Sequence, residues 1–358
     1  MIVPSMSSAL RQAACSQSFR VSVRHFSQTA TRDASWGFIG LGAMGYPMAK
    51  NLRAKIPEGD MLTIFDLNKA SLEQFTQEAT PSGVVVAKSP REVAEKSFNS
   101  SSIVTICCTL GLTGVRQDHI ISALPEPRHV KGVFEEILAS PLPKPPSESS
   151  RLFIDCSTID PTTSREVAKL VKEKAGAGFV DAPMSGGVVG ARAGTLTFMV
   201  GGEKEDMPKI QEILLLMGKK VWHMGPQGTG LSGKLANNYA LAINNIACAE
   251  AMNLGMRWGI EGKALADLLN SATGRSWPSE INNPVPGVLE SSPATRGYEG
   301  GFGVSLMNKD LRLAMTAAQE AGAKLVLAEK AKEVYDSTEK AHKGKDFSVV
   351  YRWLGGKV

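Results

Sequence analysis

Short apolar runs alternate with helical periodicity through the first part of the chain, and then the runs stop. Ser35-Trp36-Gly37-Phe38-Ile39, Met61-Leu62-Thr63-Ile64-Phe65, Gly83-Val84-Val85-Val86-Ala87, Ser102-Ile103-Val104-Thr105-Ile106, Arg151-Leu152-Phe153-Ile154-Asp155 and Gly178-Phe179-Val180-Asp181 read as strands. Pro47 through Ala54 reads as helix, and helical stretches separate most of the other runs. Alternating strands and helices imply a parallel sheet covered on both faces. Beyond about residue 228 the β-branched runs disappear, and Lys234 to Trp258, Lys263 to Ala272, Met307 to Ala321 and Lys324 to Lys340 read as helices. The expected architecture is α/β plus all-α: a doubly wound parallel sheet over residues 36–228, then a helical domain over 229–358. Pro141 to Ser150 reads as a Pro/Ser-rich surface loop.

Length and composition fit that picture. A chain of 358 residues is long enough for two domains, and 43% hydrophobic with 21% charged residues is ordinary for a globular protein. The net charge of +5 is mild and no long Lys/Arg block occurs, so nucleic acid is not an expected partner. No stretch of about 18 apolar residues is present, so no membrane span is expected. The five cysteines form no C-x-x-C pair and no histidine pair has ligand spacing, which argues against a zinc site. Their odd, scattered number suits a reducing compartment.

Residues 1–32 contain no Asp or Glu and carry Arg11, Arg20, Arg24 and Arg32 among Ser, Ala, Gln and Thr. That composition is the signature of a mitochondrial transit peptide. An ordinary disordered tail is the alternative.

Gly40-Leu41-Gly42-Ala43-Met44-Gly45 is G-x-G-x-x-G, placed after an expected strand and at the opening of an expected helix. This is the context of a dinucleotide-binding turn in a Rossmann-type sheet. Gly40 permits the tight turn, Gly42 lets the backbone approach a pyrophosphate, and Gly45 lets helix and strand pack closely. Asp66 ends the second strand, where a carboxylate accepts hydrogen bonds from ribose hydroxyls and repels a 2′-phosphate. Leu67 and Asn68 offer that phosphate no cation, so NAD is the expected cofactor. A glycine-rich turn without a ligand is the alternative. Tyr46 and Lys50 match Y-x-x-x-K, but they lie in the fingerprint helix, at the wrong end of a dinucleotide for chemistry on the nicotinamide.

Hydride transfer from an alcohol needs a group to take the hydroxyl proton. Lys234 is the candidate, and Asn238 shares its helix face at i+4. A solvated lysine at a helix start is the other reading of the same spacing. Ser185 with the Gly186 and Gly187 amides could form a nest for a carboxylate, or a plain glycine turn.

Together these pieces resemble the β-hydroxyacid dehydrogenase family over about residues 36 to 354. The carriers are Phe38 to Gly45, Asp155-Cys156-Ser157-Thr158-Ile159-Asp160-Pro161, Asp181 to Gly187 and Gly230 to Asn238. Asn282 to Val288, Gly300-Gly301-Phe302-Gly303 and Lys309-Asp310-Leu311 add to them. The resemblance implies NAD-dependent oxidation of (S)-3-hydroxyisobutyrate to methylmalonate semialdehyde, a step of valine breakdown in the mitochondrial matrix. It implies Lys234 as catalytic lysine, Ser185, Gly186 and Gly187 as the substrate-carboxylate nest, and Asn238 as substrate-orienting. It also implies cofactor contacts at Leu124, Pro125, Thr158 and Lys309, no metal, and a homo-oligomer, dimer or tetramer, with the helical domain serving substrate and assembly. Relatives acting on tartronate semialdehyde or other short β-hydroxy acids, and a catalytically silent dinucleotide-binding protein, are the alternatives.

One stretch departs from the family pattern. In relatives the fourth strand runs directly into a Leu-Pro pair, whereas here Ser101 to Thr105 and Leu124-Pro125 look like two halves separated by an insertion near residues 106–122. Leu124-Pro125 regains its place after a surface excursion, or Cys107-Cys108 takes that place, or the stretch is an error in the gene model.

Overall fold

The computed structural model describes residues 35–79, 83–98, 118–143 and 151–357. The expected transit peptide and the Ser102–Ile106 strand, with Cys107-Cys108, lie outside the described residues.

The sheet begins as expected. β1 (Ser35–Ile39), β2 (Met61–Phe65) and β3 (Val84–Val86) alternate with α1 (Gly45–Lys55), α2 (Lys69–Glu78) and α3 (Pro90–Phe98). β4 (Asp118–Ser122), α4 (Pro127–Ile137), β5 (Arg151–Asp155), α5 (Pro161–Ala175) and β6 (Gly178–Asp181) continue the alternation. Strand order β3-β2-β1-β4-β5-β6 is parallel throughout. This is the order of a Rossmann sheet, whose ligand crevice opens at the carboxyl ends of β1 and β4, where the order reverses.

Alternation along the strands feeds two cores. Phe38, Ile121, Leu152 and Ile154 face Met48 and Leu52 of α1 and Phe75 of α2. Ile39, Ile120 and Phe153 face Phe98 of α3, Phe134 of α4 and Val171 of α5. Phe134 meets Phe153 and Phe179 edge-on at centroid distances of 5.3 and 5.2 Å, a geometry worth about 0.5–1.5 kcal/mol per pair beyond area burial.

The position beside β1 corrects one expectation. It is filled by Asp118–Ser122, the last five residues of the stretch read as an insertion. Ile120 and Ile121 are fully buried on opposite faces, but Asp118 and His119 are buried too, and two polar residues in a core position hid the strand. β4 runs directly into Ala123-Leu124-Pro125, so the Leu-Pro pair sits at a strand end.

The far side of the sheet is mixed. β7 (Met184–Ser185), α6 (Gly187–Ala193), β8 (Leu196–Gly201), α7 (Met207–Leu215) and β9 (Gly218–Gly225) follow β6. β8 is antiparallel to β6 and β7 and parallel to β9. β7 has two residues, β8 six and β9 eight.

Helices follow: α8 (Thr229–Arg257), α9 (Gly262–Ser271), α10 (Trp277–Glu280), α11 (Val304–Glu320), α12 (Ala328–Ala341) and α13 (Val350–Trp353). Their core gathers Ala242, Met252, Met307, Leu311, Tyr335 and Tyr351. α8 starts five residues before Lys234. Helical periodicity in the sequence starts this helix at Lys234, whereas the structure includes Thr229 to Gly233 in it, and at Gly230 the helix touches the sheet: a Cβ would lie 2.3 Å from the Met199 carbonyl oxygen.

A Cβ at Gly45 would lie 1.9 Å from the Gly40 carbonyl oxygen. Gly45→Ala is expected to cost about 1–3 kcal/mol of stability, read as a lower Tm in a circular-dichroism melt. An unchanged Tm would contradict this close approach.

Candidate active site

Gly40 turns the chain at φ +98°, and a Cβ on it would meet the Ala123 carbonyl oxygen at 2.4 Å and Leu124 Cδ2 at 3.2 Å. The fingerprint turn and the Leu124-Pro125 turn therefore face each other across the switch point. Above Gly42 a Cβ would meet nothing within 4 Å. α1 begins with no side-chain cap and no acidic residue in its first turn, which leaves its amide end open to an anion. Asp66 closes the loop: its Oδ2 accepts from Leu41 N at 2.5 Å and its Oδ1 from Asn68 N at 2.6 Å. Open space, uncapped amides and a carboxylate at the end of β2 fit a dinucleotide. Gly40, Leu41, Gly42, Ala43, Met44, Gly45 and Asp66 stand where they could hold its adenosine and pyrophosphate. Tyr46 packs edge-on against Phe75 at 5.3 Å, an ordinary helix-packing role.

The second half of the site stands on α8. Its buried stripe is apolar except at Lys234, Asn238 and Asn245. Buried polar groups require partners. Lys234 Nζ donates to Ser185 Oγ at 3.0 Å. Asn238 Nδ2 donates to Asp310 Oδ2 at 2.6 Å, and Asn238 Oδ1 accepts from Asn237. Asn245 Nδ2 bonds the Tyr335 hydroxyl and the Phe347 carbonyl, which fixes the helix farther on. Lys234 is 7% exposed. Burial lowers its pKa from the ordinary lysine value, the Asp310 carboxylate opposes that shift, and the Lys309 ammonium adds to it. Next to Ser185, Gly186 and Gly187 have φ of +132° and +60°, and Gly187 starts α6 with no side-chain cap. Their amides are thus available beside the Ser185 hydroxyl.

Side chains on both sides fasten these halves together. Asp181, at the end of β6, accepts from Gly228 N at 2.6 Å and from Leu231 N at 2.8 Å, so it holds the first turn of α8. Desolvation raises its pKa to about 6, the neighbouring Asp155 adds to the rise, and the amide donors oppose it. Lys309, on α11, donates to the Pro125 carbonyl at 3.1 Å and the Thr158 carbonyl at 3.0 Å. It also lies 3.6 Å from Asp310 Oδ1. Arg312 reaches Glu126 at 3.5 Å, and Thr162 donates to Glu320 at 2.6 Å.

All the sequence-selected residues therefore fall into two adjoining groups. Gly40 to Gly45, Asp66, Leu124, Pro125 and Thr158 line the sheet side. Ser185, Gly186, Gly187, Lys234 and Asn238 form the other, and Lys309 touches the first group while its neighbour Asp310 touches the second. Lys234 is not the solvated helix-start lysine that its spacing alone allowed. Sequence reasoning passed over Asp310 as a partner of Asn238, and over Asp181 as the anchor of α8. Asp181 ended a strand in the sequence, as Asp66 did, and that shared position was the available signal. Among the described residues no group of three His, Cys, Asp or Glu side chains is placed to hold a metal, and no helix is long and apolar enough to cross a membrane.

Comparison with known proteins shows the family of the chain. Residues 35–225 match the family described as the NAD binding domain of 6-phosphogluconate dehydrogenase. Residues 228–354 match the one described as NAD-binding of NADP-dependent 3-hydroxyisobutyrate dehydrogenase. The mitochondrial 3-hydroxyisobutyrate dehydrogenase of Mus musculus is 43% identical over 319 residues, covering 89% of this chain and 86% of its own. The probable mitochondrial 3-hydroxyisobutyrate dehydrogenase of Dictyostelium discoideum is 41% identical over 336 residues, covering 93% and 94%. The solved 3-hydroxyisobutyrate dehydrogenase of Mycobacterium tuberculosis, with L-serine, superposes with a TM-score of 0.76 at 34% identity, covering 90% of this chain and 99% of that one.

Asp181 binds its proton more tightly in the folded state than in the unfolded chain. Its stabilising contribution is complete below the unfolded value of 3.8 and is lost as pH rises through about 6. Asp181→Asn removes this dependence while losing one acceptor. The variant's Tm relative to the parent is therefore expected to improve between about pH 4 and about pH 7. A difference that stays constant with pH would contradict the assignment.

Proposed function

The chain belongs to the 3-hydroxyisobutyrate dehydrogenase family, and from that premise we propose that it oxidises 3-hydroxyisobutyrate to methylmalonate semialdehyde with NAD, using Lys234 as the general base. It is an NAD-dependent oxidoreductase acting on a CH–OH group. The observation that carries the mechanism is the buried Lys234 amine aimed at Ser185 and sharing its helix face with Asn238.

The chemistry follows from those positions. Ser185 Oγ and the Gly186 and Gly187 amides receive the substrate carboxylate, whose charge the uncapped start of α6 favours. This fixes the hydroxyl end of a short acid toward Lys234. Asn238 has one amide hydrogen on Asp310 and a second left to orient the substrate oxygen. NAD, when bound, accepts the hydride from the carbinol carbon. Lys234 takes the hydroxyl proton as the carbonyl forms, so it must enter the step as a neutral amine. Burial favours that state by disfavouring the ammonium. In the reverse direction the protonated lysine returns the proton to the alkoxide. Asp66 supports NAD over its 2′-phosphorylated form by placing a carboxylate where that phosphate would sit.

The reaction is a step of valine catabolism. The protein is mitochondrial, and the matrix is our inferred compartment. We also infer a homo-oligomer, supported by the exposed Leu254, Trp258, Ile260 and Leu268 near the α8–α9 junction.

Purified protein with NAD and 3-hydroxyisobutyrate is expected to produce reduced nicotinamide, followed by its absorbance. Lys234→Ala should lower kcat by at least about a hundredfold while NAD still binds. For the parent, kcat/KM of oxidation should rise with pH and level off below the ordinary lysine pKa of 10.5. Near-normal turnover by the variant would reject Lys234 as the base, and no turnover by the parent would reject the reaction.

A further inference from the structure

Asp155 ends β5 beneath the site, and the reaction scheme leaves it unused. It is fully buried. One of its oxygens carries all of its side-chain bonding: Oδ1 accepts from Ser122 Oγ at 2.8 Å, from Ser157 Oγ at 2.6 Å and from Ser157 N at 3.2 Å. Oδ2 has no hydrogen-bond partner among the described residues. Ser157 Oγ in turn accepts from Leu124 N at 2.8 Å.

A hydroxyl has one hydrogen and two lone pairs. Asp155 takes the hydrogen of Ser157, so a lone pair is turned toward the Leu124 amide. Without that acceptor the hydroxyl hydrogen is free to rotate toward the Leu124 N–H, where two donors would face each other. The Leu124-Pro125 turn that this amide fixes is the wall standing against Gly40, and the Pro125 carbonyl is one of the two that bind Lys309. Ser122 ties the end of β4 to the same oxygen. A single carboxylate oxygen thus organises the ends of two neighbouring strands on one side of the dinucleotide crevice. Asp155 is also in register with Asp181 on β6. Neighbouring strand ends therefore hold the cofactor wall and the start of the lysine-bearing helix.

We propose that Asp155 is a positioning residue for the NAD seat, acting through the Ser157 hydroxyl on the Leu124 amide and requiring only its one bonded oxygen. The proposal rests on the NAD-dependent reading above. Its particular consequence is that an amide can replace the acid. Asn keeps the oxygen and puts its NH2 where Oδ2 already lacks a partner, whereas Ala removes the acceptor.

The test measures NAD dissociation constants by calorimetric titration, with a thermal melt of each protein. The variants are Asp155→Asn, Asp155→Ala, Ser157→Ala and the Asp155→Ala/Ser157→Ala double. Asp155→Ala and Ser157→Ala are each expected to weaken NAD by about tenfold. The double variant should be no weaker than Asp155→Ala, because both remove one relay. Asp155→Asn should stay within about threefold of the parent. If Asp155→Ala fails to fold, Ser157→Ala and Asp155→Asn still decide the matter. A parent that binds NAD with Ser157→Ala unchanged, or with Asp155→Asn weakened by tenfold or more, overturns the proposal alone. A parent that does not bind NAD overturns the reaction as well.

Discussion

The burial of the Lys234 amine is the constraint on which the rest of this structure depends, and under the proposed mechanism it is what lets that amine serve as a base. Removing an ammonium from water costs several kcal/mol unless it is paired, so the fold must hold this side chain in place against its own preference for solvent. It does so by wedging the start of α8 into the sheet. Gly230 has no side chain and can touch the Met199 carbonyl, and Asp181 grips the Gly228 and Leu231 amides. With the first turn fixed, Lys234 and Asn238 fall on the inner face, opposite Ser185 and Asp310. The charges nearest the amine are of opposite sign. Lys309 favours the neutral form and Asp310 the ammonium, which suits a group that must both take and return a proton.

The same economy governs the crevice. Along its floor, polar residues at the ends of β2, β4, β5 and β6 each make a bond: Asp66 to the fingerprint turn, Ser122 to Asp155, Asp155 to the Ser157 loop, and Asp181 to α8. Parallel strands all present their carboxyl ends to one side, so acids in these positions converge without sequence proximity. Lys309 then spans from α11 to two carbonyls on that rim, one beside Leu124 and one at Thr158. Substrate groups and cofactor wall are linked by the adjacent residues Lys309 and Asp310.

Local chemistry was legible in the sequence, and long-range pairing was not. The strands Ser35–Ile39, Met61–Phe65, Arg151–Asp155 and Gly178–Asp181 follow from apolar runs, and the fingerprint follows from glycine spacing. The i, i+4 relation of Lys234 and Asn238 needed only helical periodicity. β4 was misplaced because Asp118 and His119 are polar yet buried, so composition hid what the core accepts. The first turn of α8 lies before the helical periodicity that begins at Lys234, because glycines that permit close packing carry no periodic signal. The sequence gives Asp310 no partner, since Asn238 lies 72 residues away. No periodicity rule reaches that far.

The most direct measurement is the separation of Lys234 Nζ from the substrate hydroxyl oxygen in a crystal of the protein with NAD and 3-hydroxyisobutyrate. The account predicts a hydrogen-bonding distance of about 3 Å, with the carboxylate on Ser185 and the Gly186 and Gly187 amides. A hydroxyl bound to another side chain, with Lys234 still turned away from it in the closed ternary complex, would contradict it.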